Sequence, residues 1–473
     1  MRPSPRFTVL CLALLFVFAL SATSFAQTPG DSALAQSAIA SGTTNLPIAL
    51  TPVNATSVQN GSLSSIVLDA VTGNVISGGF NAGFKANTSS STSQNGNDDQ
   101  FNISCRRANQ STIDSLDTVA TFSGAFVAQA GPDTDDDFRF TMVGNDPKLG
   151  CTTVLPGNIA EVSWQLLNAD GSVFTTVPFA PFEQRILESP DFEPLDYRSG
   201  HNVEYGDAVH RAQFFNIMKN DWHTLLLPAV KDRVTITVPF FVNVQLNNGT
   251  IIQARSYFTG TAADGSTFIL MLSPLFNFFF DNEVVNEINL GNFSTNGMNM
   301  SFFPNTFLFS LNVNNPNVPG GCCVLGFHTY FANFDGIFPQ HRYISQFASW
   351  ISPGLFGAGF QDVTALSHEL AESYANPFIS NPAPNWQFPG EPPTAAVCQN
   401  NLEEGDPIEV LPNATAAIEV KEGKFDFIYH PQNIPLLQWF EMGTGSSAID
   451  GAFSFPDETV LPHSALPCPN GVG

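Results

Sequence analysis

Three side chains near the three-quarter point of the chain have the types and spacing needed for metal chemistry. His368 and Glu372 are four residues apart, and Glu369 lies between them. On a helix, residues four apart occupy adjacent turns of one face, so the imidazole and the carboxylate are close enough to share a metal ion. Glu369 lies about a quarter-turn away from His368, where it can take a proton from a water on that metal. The segment therefore predicts half of a helix-borne metal site.

This pattern differs from the H-E-x-x-H zinc helix at one ligand, because Glu372 replaces the second histidine. A carboxylate can also bind zinc, so the change keeps zinc as the first candidate cofactor and widens the choice of metal. The alternative interpretation is a solvated helix face, since charged and polar residues are mostly exposed in folded proteins.

The chemistry depends on the segment being a helix, and the neighbouring residues predict one. Four apolar side chains fall on one stripe at about 100° per residue: Val363, Leu366, Leu370 and Tyr374. This stripe is the face expected to pack on a core. Asp362 or Thr364 can cap the start of the helix, and Asn376-Pro377 can end it through a left-handed residue followed by proline. His368 and Glu372 then lie almost opposite the apolar stripe.

The residues around the motif carry a family resemblance. In chain order they are His368-Glu369-Leu370-Ala371-Glu372, Asn376-Pro377, Trp386 and Glu403-Glu404-Gly405-Asp406. This order resembles the pattern of the Exordium-like (phosphate-induced protein) family and of related secreted bacterial proteins with a metalloprotease-like motif. The resemblance implies a zincin-like site. In the family the E-x-G-D segment is usually followed closely by cysteine, whereas here Pro407 follows and Cys398 lies upstream.

A metal held by His368 and Glu372 needs a third protein ligand, and a loop carboxylate from downstream is a common solution. Asp406, in the E-x-G-D segment, is the first choice and Glu403 the second. One coordination position then stays open for water, on which Glu369 would act as general base. Three further side chains are candidates to stabilise the oxyanion of a substrate carbonyl: Tyr374, His328 and His430.

The first 26 residues predict export. Arg2 and Arg6 precede an apolar run, and Ser24-Phe25-Ala26 fits a cleavage site. A Sec-type signal peptide cut after Ala26 predicts a secreted, extracellular protein, and the apolar run is too short to anchor the mature chain in a membrane. The formal net charge of −25 argues against nucleic acid and anionic membranes as partners. The expected partner is an extracellular polypeptide or cell-surface material.

The cysteines predict disulfide bonds, because an exported chain matures in an oxidising compartment. Cys105 and Cys151 are the preferred pair, since they are close in sequence. Cys322 and Cys323 are adjacent, and adjacent cysteines rarely bond each other. Two cysteines remain as their expected partners, in an order that the sequence leaves open: Cys398 and Cys468.

The predicted fold class is a combination of α+β and all-β, with two domains. Residues 27–50 are rich in Ser, Ala, Thr and Gly and predict a flexible lead-in. From 51 to 190, short alternating segments between Gly, Asn, Asp and Pro turns predict an antiparallel β-sandwich. Residues 191–473 are expected to form a mixed α/β, zincin-like domain that carries the motif helix. The 44 phenylalanines suffice for a large core.

An acidic loop in the first predicted domain is a second candidate metal site. Asp133, Asp135 and Asp137 offer the hard oxygen ligands that calcium prefers. The twelve-residue EF-hand pattern does not fit, because its glycine and distal glutamate are missing. The alternative interpretation is a solvated turn rich in aspartate.

Two functional hypotheses follow. The first is a secreted metal-dependent hydrolase, peptidase-like, with the ligands and general base named above. The second is a non-catalytic extracellular binding or adhesion protein with a degenerate metalloprotease-like site, which the glutamate at position 372 favours. A carbohydrate-active enzyme would need a pair of carboxylates about 5 to 10 Å apart, and the sequence singles out no such pair. Nucleotide and serine-hydrolase chemistry are disfavoured, because neither a phosphate-binding glycine loop nor a G-x-S-x-G elbow occurs.

Overall fold

The computed structural model describes residues 67–70, 75–77, 119–197, 202–333, 341–356, 359–390, 398–409, 411–422, 425–445 and 448–468. The predicted signal peptide (1–26), the predicted lead-in (27–50) and Cys105 lie outside these residues.

The strands of the described residues are, in chain order, β1 (Val67–Asp69), β2 (Val75–Ser77), β3 (Thr121–Val127), β4 (Asp137–Val143), β5 (Thr152–Leu167), β6 (Val173–Val177), β7 (Leu195–Asp196), β8 (Asn202–Val203), β9 (His223–Val238), β10 (Phe241–Gln245), β11 (Ile251–Arg255), β12 (Tyr257–Thr261), β13 (Thr267–Leu272), β14 (Met298–Pro304), β15 (Thr306–Leu311), β16 (Pro319–Val324), β17 (Gly326–Asn333), β18 (His341–Phe356), β19 (Phe360–Asp362), β20 (Pro382–Gln387), β21 (Cys398–Asn401), β22 (Ile418–Glu422), β23 (Phe425–Tyr429), β24 (Ile434–Pro435) and β25 (Ser454–Phe455).

The helices are α1 (Ala180–Leu187), α2 (Tyr205–Gln213), α3 (Ser273–Leu290), α4 (Thr364–Ala375), α5 (Asp406–Glu409) and α6 (Leu437–Phe440). Strands therefore dominate, and the prediction of a strand-rich α+β fold class is confirmed. Within the described part of the chain, no helix combines the length and apolar character needed to cross a membrane.

One sheet of seven strands carries the motif helix. Its main path is β17-β18-β14-β5-β6, with β9 also paired to β5 and β19 to β18. Strand β14 runs parallel to both β18 and β5, whereas β17 is antiparallel to β18. Strands β5 and β6 precede residue 190 and the others follow it, so this sheet crosses the predicted domain boundary. Strands β1 and β2 likewise share a sheet with β10 and β11, whereas β3 and β4 pair only with each other, so the predicted separate antiparallel sandwich is not confirmed.

Two further sheets have the orders β11-β10-β1-β2 and β12-β13-β15-β16. Helix α3 packs in the hydrophobic core beside them and beside the seven-stranded sheet. The ring centroid of its Phe276 lies 4.4 Å from that of Phe347 on β18 and 5.0 Å from that of Phe303 on β14. Because α3 is apolar around most of its circumference, it is stable only as a buried helix.

Helix α4 is buried along its whole length. Its predicted apolar stripe is confirmed, because all four side chains belong to one hydrophobic cluster: Val363, Leu366, Leu370 and Tyr374. Ile344 and Trp350 of β18 belong to the same cluster. On another side of the helix, Ala371 packs with Ala208 of α2. Since its polar residues are buried as well, the interpretation as a solvated face is wrong.

The predicted ends of α4 are right in position and wrong in detail. Asp362 Oδ1 accepts the adjacent amide of Val363 at 2.7 Å, and neither Asp362 nor Thr364 caps the helix. Asn376 follows the last helical residue, but its φ of −140° is not left-handed. Its side chain instead accepts the backbone amides of Ser380 and Asn381, both at 2.9 Å. The left-handed residue of this turn is Ile379, with a φ of 49°, three positions after the predicted one.

The disulfide pairing corrects the prediction at one pair of positions. Cys322 and Cys323, on β16, are bonded to each other. Cys398 of β21 is bonded to Cys468, with 5.9 Å between their Cα atoms. The predicted pairing of Cys322 and Cys323 with Cys398 and Cys468 is therefore wrong. Cys151 is also disulfide-bonded.

Candidate metal centre

Three separate segments bring polar side chains into one buried place. Helix α4 contributes His368, Glu369 and Glu372, and the adjacent strand β17 contributes His328. The segment between β21 and the end of α5 contributes four carboxyl groups: Glu403, Glu404, Asp406 and Glu409. All of these side chains are buried except Glu409, which is half-buried. Burial of so many ionisable groups is costly without pairing or a metal ion.

The contacts of His368 join the residues that the sequence predicted as ligands. Its Nε2 atom lies 3.2 Å from Oε1 of Glu372 and 3.7 Å from Oδ1 of Asp406. Oε1 of Glu369 lies 4.0 Å from the same nitrogen. His368 therefore lies close to Glu372, as the i, i+4 spacing predicted, and close to Asp406 of the E-x-G-D segment.

His328 lies on the other side of Glu372. Its Nδ1 atom is 3.1 Å from Oε2 of Glu372 and 3.7 Å from Oε2 of Glu369. Its Nε2 atom is 3.6 Å from Oε2 of Glu403. Glu403, the second choice for the third ligand of His368, therefore lies against His328 instead. His328 was expected only as an oxyanion helper, and its place among the carboxylates is a finding of the structure.

Two overlapping groups of side chains could hold a metal ion. His368, Glu369 and Glu372 form one, and His328, Glu372 and Glu403 form the other. In each group, one possible ligand atom per residue lies within 4.8 Å of the others. Across the described ranges no other set of His, Cys, Asp and Glu meets this criterion.

Three atoms of these groups are buried without a hydrogen-bond partner: His328 Nε2, Glu369 Oε2 and Glu403 Oε2. Leaving a buried polar atom unpaired costs on the order of 1 to 3 kcal/mol, so native structures satisfy nearly all of them. Each of the three atoms carries, or can carry, a lone pair that faces the cluster. A bound cation would satisfy those of the atoms that become its ligands, and this donor set therefore fits a metal ion.

Neighbouring groups fix the orientation of the possible ligands. The Nδ1 atom of His368 lies 3.1 Å from Oε1 of Gln432, an acceptor that leaves Nε2 directed at the carboxylates. The backbone amide of Gln432 donates to Ser367 Oγ at 2.8 Å, and its side-chain amide donates to the carbonyl of Gly405. Such contacts behind a ligand hold its ring nitrogen in place for a metal.

The loop carboxylates are held in a similar way, each through one oxygen. Oε1 of Glu403 accepts hydrogen bonds from the side-chain amides of Asn376 at 3.1 Å and Asn401 at 3.0 Å. Oδ2 of Asp406 accepts the side-chain amide of Gln399 at 3.2 Å. The second oxygen of each carboxylate is the one nearest a histidine. Neutral amides thus orient these groups without neutralising them.

Two glycines allow the close packing of the centre. A Cβ atom at Gly405 would lie 2.5 Å from Nδ1 of His368. A Cβ atom at Gly326, the first residue of β17, would lie 2.6 Å from Oε1 of Glu369. Any larger residue at either position would displace a side chain of the site.

The buried charges shift one another's pKa values. Burial alone would lower the pKa of His328, but Glu403 and the carboxylates of α4 raise it well above its usual value. The same balance, with Glu372 as the nearest carboxylate, raises the pKa of His368. Burial opposes ionisation of Glu372, yet the two histidines hold its pKa well below the usual range. Burial and the charge of Glu372 raise the pKa of Asp406 to about 7. The buried carboxylates outnumber the two imidazoles that could neutralise them. A bound metal ion would therefore reduce the repulsion between the carboxylates.

The other two oxyanion candidates lie elsewhere. Tyr374 is on the apolar stripe of α4, with its hydroxyl 3.4 Å from the carbonyl oxygen of Thr224. His430 is held at the start of α4, where its Nδ1 is 2.8 Å from Asp362 Oδ2 and its Nε2 is 3.0 Å from Gln361 Nε2. These contacts are to residues outside the cluster of histidines and carboxylates, and the oxyanion roles of Tyr374 and His430 stay predictions.

The proposed calcium loop is not assembled in the described structure. Asp135 and Asp137 are exposed, and Asp133 is half-buried. Asp133 Oδ2 accepts the backbone amide of Asn385 at 3.3 Å, whereas Asp137 lies 3.4 Å from Arg139. These three aspartates do not form a group of converging ligand atoms. The interpretation as a solvated turn fits these positions.

Comparison of the chain with family models, curated proteins and solved structures gave no match. The resemblance to Exordium-like proteins therefore stays a prediction.

Proposed function

We propose that the protein is a secreted metal-dependent hydrolase that cleaves polypeptides. The observation that carries the proposal is the position of Glu369. Its Oε2 is buried without a hydrogen-bond partner and lies 3.7 Å from His328, while its Oε1 lies 4.0 Å from His368. A carboxylate placed beside possible metal ligands, with an oxygen left unpaired, is suited to accept a proton from water.

His368, Glu372 and Asp406 are the proposed ligands of the metal ion. When bound, the ion would polarise a substrate carbonyl and make a water acidic enough to ionise near neutral pH. Glu369 would take one proton of that water as its oxygen adds to the carbonyl carbon, and would give the proton to the amine nitrogen as the C–N bond breaks. Gln432 keeps the ligating nitrogen of His368 directed into the site. Zinc is the cofactor proposed first, and the surplus of carboxylates admits harder ions.

Secretion is part of the proposal. The predicted signal peptide supports it, and so does the Cys398–Cys468 disulfide, since stable disulfides form mainly in oxidising compartments. The excess of acidic residues suits a protein that must remain soluble outside the cell and that recruits cations.

The test uses the purified mature protein loaded with zinc and an unfolded, fluorescently labelled protein as substrate. The Glu369→Gln variant should retain metal and lose about 10²- to 10⁴-fold in kcat, because only the proton transfer is removed. The His368→Ala variant should lose both metal and activity. Asp135→Asn is the matched control, because it makes the same carboxylate-to-amide change at an exposed residue.

Full turnover by the Glu369→Gln variant would contradict the assigned general base. Stoichiometric metal in the wild-type protein, with no cleavage of any unfolded protein, would contradict the hydrolase. That second outcome would favour the non-catalytic binding protein.

A further inference from the structure

We propose that the centre holds two divalent metal ions, the second bound by Nε2 of His328 and by Glu403, with Glu372 as a ligand of the first ion and as the group that orients His328 through its Nδ1. This inference rests on the proposed function for its first ion, at His368, and adds a second site beside it.

The first argument is the pair of unpartnered atoms that face each other. Nε2 of His328 and Oε2 of Glu403 are both buried without a hydrogen-bond partner, and they are 3.6 Å apart. The side chains are only 5% and 2% exposed, so water does not satisfy them. A separation of 3.6 Å is too long for a hydrogen bond. It is the separation expected for two ligands of one ion, each at about 2.1 Å and about 120° apart.

The second argument is the orientation of the His328 ring. Its Nδ1 lies 3.1 Å from Oε2 of Glu372 and can donate to it. Histidines that bind a metal through one nitrogen usually donate the other N–H to a carboxylate, which leaves the first nitrogen with its lone pair. Glu372 therefore selects the tautomer in which Nε2 of His328 is the free lone pair facing Glu403.

The third argument is the position of Glu372 between the two histidines. Its Oε1 lies 3.2 Å from His368, and its Oε2 lies 3.1 Å from His328. It is also the one residue common to both candidate groups of ligands. Glu372 therefore links the two sites: its Oε1 lies at the ligating nitrogen of the first histidine, and its Oε2 orients the second histidine for its own ion.

The fourth argument is charge. Four buried carboxyl groups surround the two imidazoles: Glu369, Glu372, Glu403 and Asp406. One divalent ion offsets only two of these charges, and unpaired buried charge is strongly unfavourable. Two divalent ions offset all four and leave both imidazoles neutral, which is the form that binds metal.

The test is the number of metal ions per chain. The full mature protein is stripped with chelator, reloaded with Zn²⁺, passed through a desalting column and measured by elemental analysis. We expect two equivalents in the wild-type protein and one in each of the His328→Ala, Glu403→Gln and His368→Ala variants. The Glu372→Ala variant should lose most of both. His463→Ala is the control, because this histidine is exposed, and it should retain two.

A second measurement does not depend on the variants folding. Titration of the stripped wild-type protein with Co²⁺ should show visible absorption that rises to two equivalents. The electron paramagnetic resonance signal per cobalt should fall as the second equivalent binds, because the unpaired electrons of two ions in one small buried centre couple magnetically.

The outcomes separate this inference from the proposed function. A single equivalent that survives His328→Ala would overturn the second ion and leave the hydrolase intact. A single equivalent lost in both histidine variants would also overturn it, since one ion would then be shared. Two equivalents without hydrolysis would support the second ion and contradict the proposed function. No bound metal under any loading condition would overturn both.

Discussion

At the scale of single residues, the centre depends on side chains that neutral neighbours hold in place. Glu403 and Asp406 are held through one carboxylate oxygen by neutral amides, and His368 is held through Nδ1 by Gln432. The atoms that remain point at one another in a space too tight for a larger residue at Gly405. The ligands are therefore oriented by their neighbours before any ion binds, which reduces the cost of assembling a metal site.

A methyl group at position 405 tests this packing. Gly405→Ala places a Cβ 2.5 Å from the His368 ring, which must shift and lose its contact with Gln432. We expect metal affinity to fall about 10- to 100-fold, as it does when an orienting contact is lost, while the fold is retained. Competition with a chromophoric chelator measures the affinity.

Gly445→Ala is the matched control, since the nearest atom to its added Cβ would be 3.7 Å away. Equal affinities for the two alanine variants would show that the close approach at Gly405 does not matter.

At the scale of elements, helix α4 has two roles on two faces. One face inserts the apolar stripe into the core formed with β18, and the other presents Glu369 and Glu372 to β17 and His368 to Asp406. Because both faces are buried, the apolar packing supplies the free energy that holds charged groups in the interior.

Leu370 is the residue with which to test the packing face. Its side chain is 1% exposed in the cluster with β18. Leu370→Ala should lower the free energy of unfolding by about 2 to 5 kcal/mol, because it removes buried apolar volume and leaves a cavity. Urea denaturation measures this change.

Leu466→Ala is the control for the same substitution at a side chain that is 64% exposed, and it should change stability by no more than about 0.5 kcal/mol. If the two variants were equally stable, the stripe would not be the anchor of α4.

At the scale of the whole molecule, the centre joins parts of the chain that are far apart in sequence. His328, Glu372 and Asp406 lie on three elements separated by loops and further strands. The segment with Glu403 and Asp406 begins at β21, whose first residue is Cys398. The disulfide from Cys398 to Cys468 therefore ties the third part of the site to the end of the described chain.

Removal of this disulfide should destabilise the protein. It closes a loop with a sequence separation of 70, and the chain-entropy estimate for such a loop is about 4 kcal/mol. The double variant Cys398→Ser/Cys468→Ser should lower the free energy of unfolding by roughly this amount, measured by guanidinium denaturation under oxidising conditions.

Under reducing conditions the difference between the wild-type protein and the double variant should disappear, because both chains then lack the bond. A difference that persisted would have to come from the substitutions themselves.

The sequence by itself determined the local half of the centre. The spacing of His368 and Glu372, the apolar stripe, and the end of the helix before Asn376 follow from the geometry of one helix, which a few neighbouring residues specify. Asp406 was also expected beside His368, although that expectation came from a motif resemblance and not from helix geometry.

Only the tertiary structure decided the other half. It placed His328 among the carboxylates, set Glu403 against that histidine, paired Cys398 with Cys468, and joined strands from both sides of residue 190 in one sheet. The physical reason is that these features depend on which strand lies beside which and in what register. That choice is made by the packing of distant segments, and no local spacing in the sequence records it.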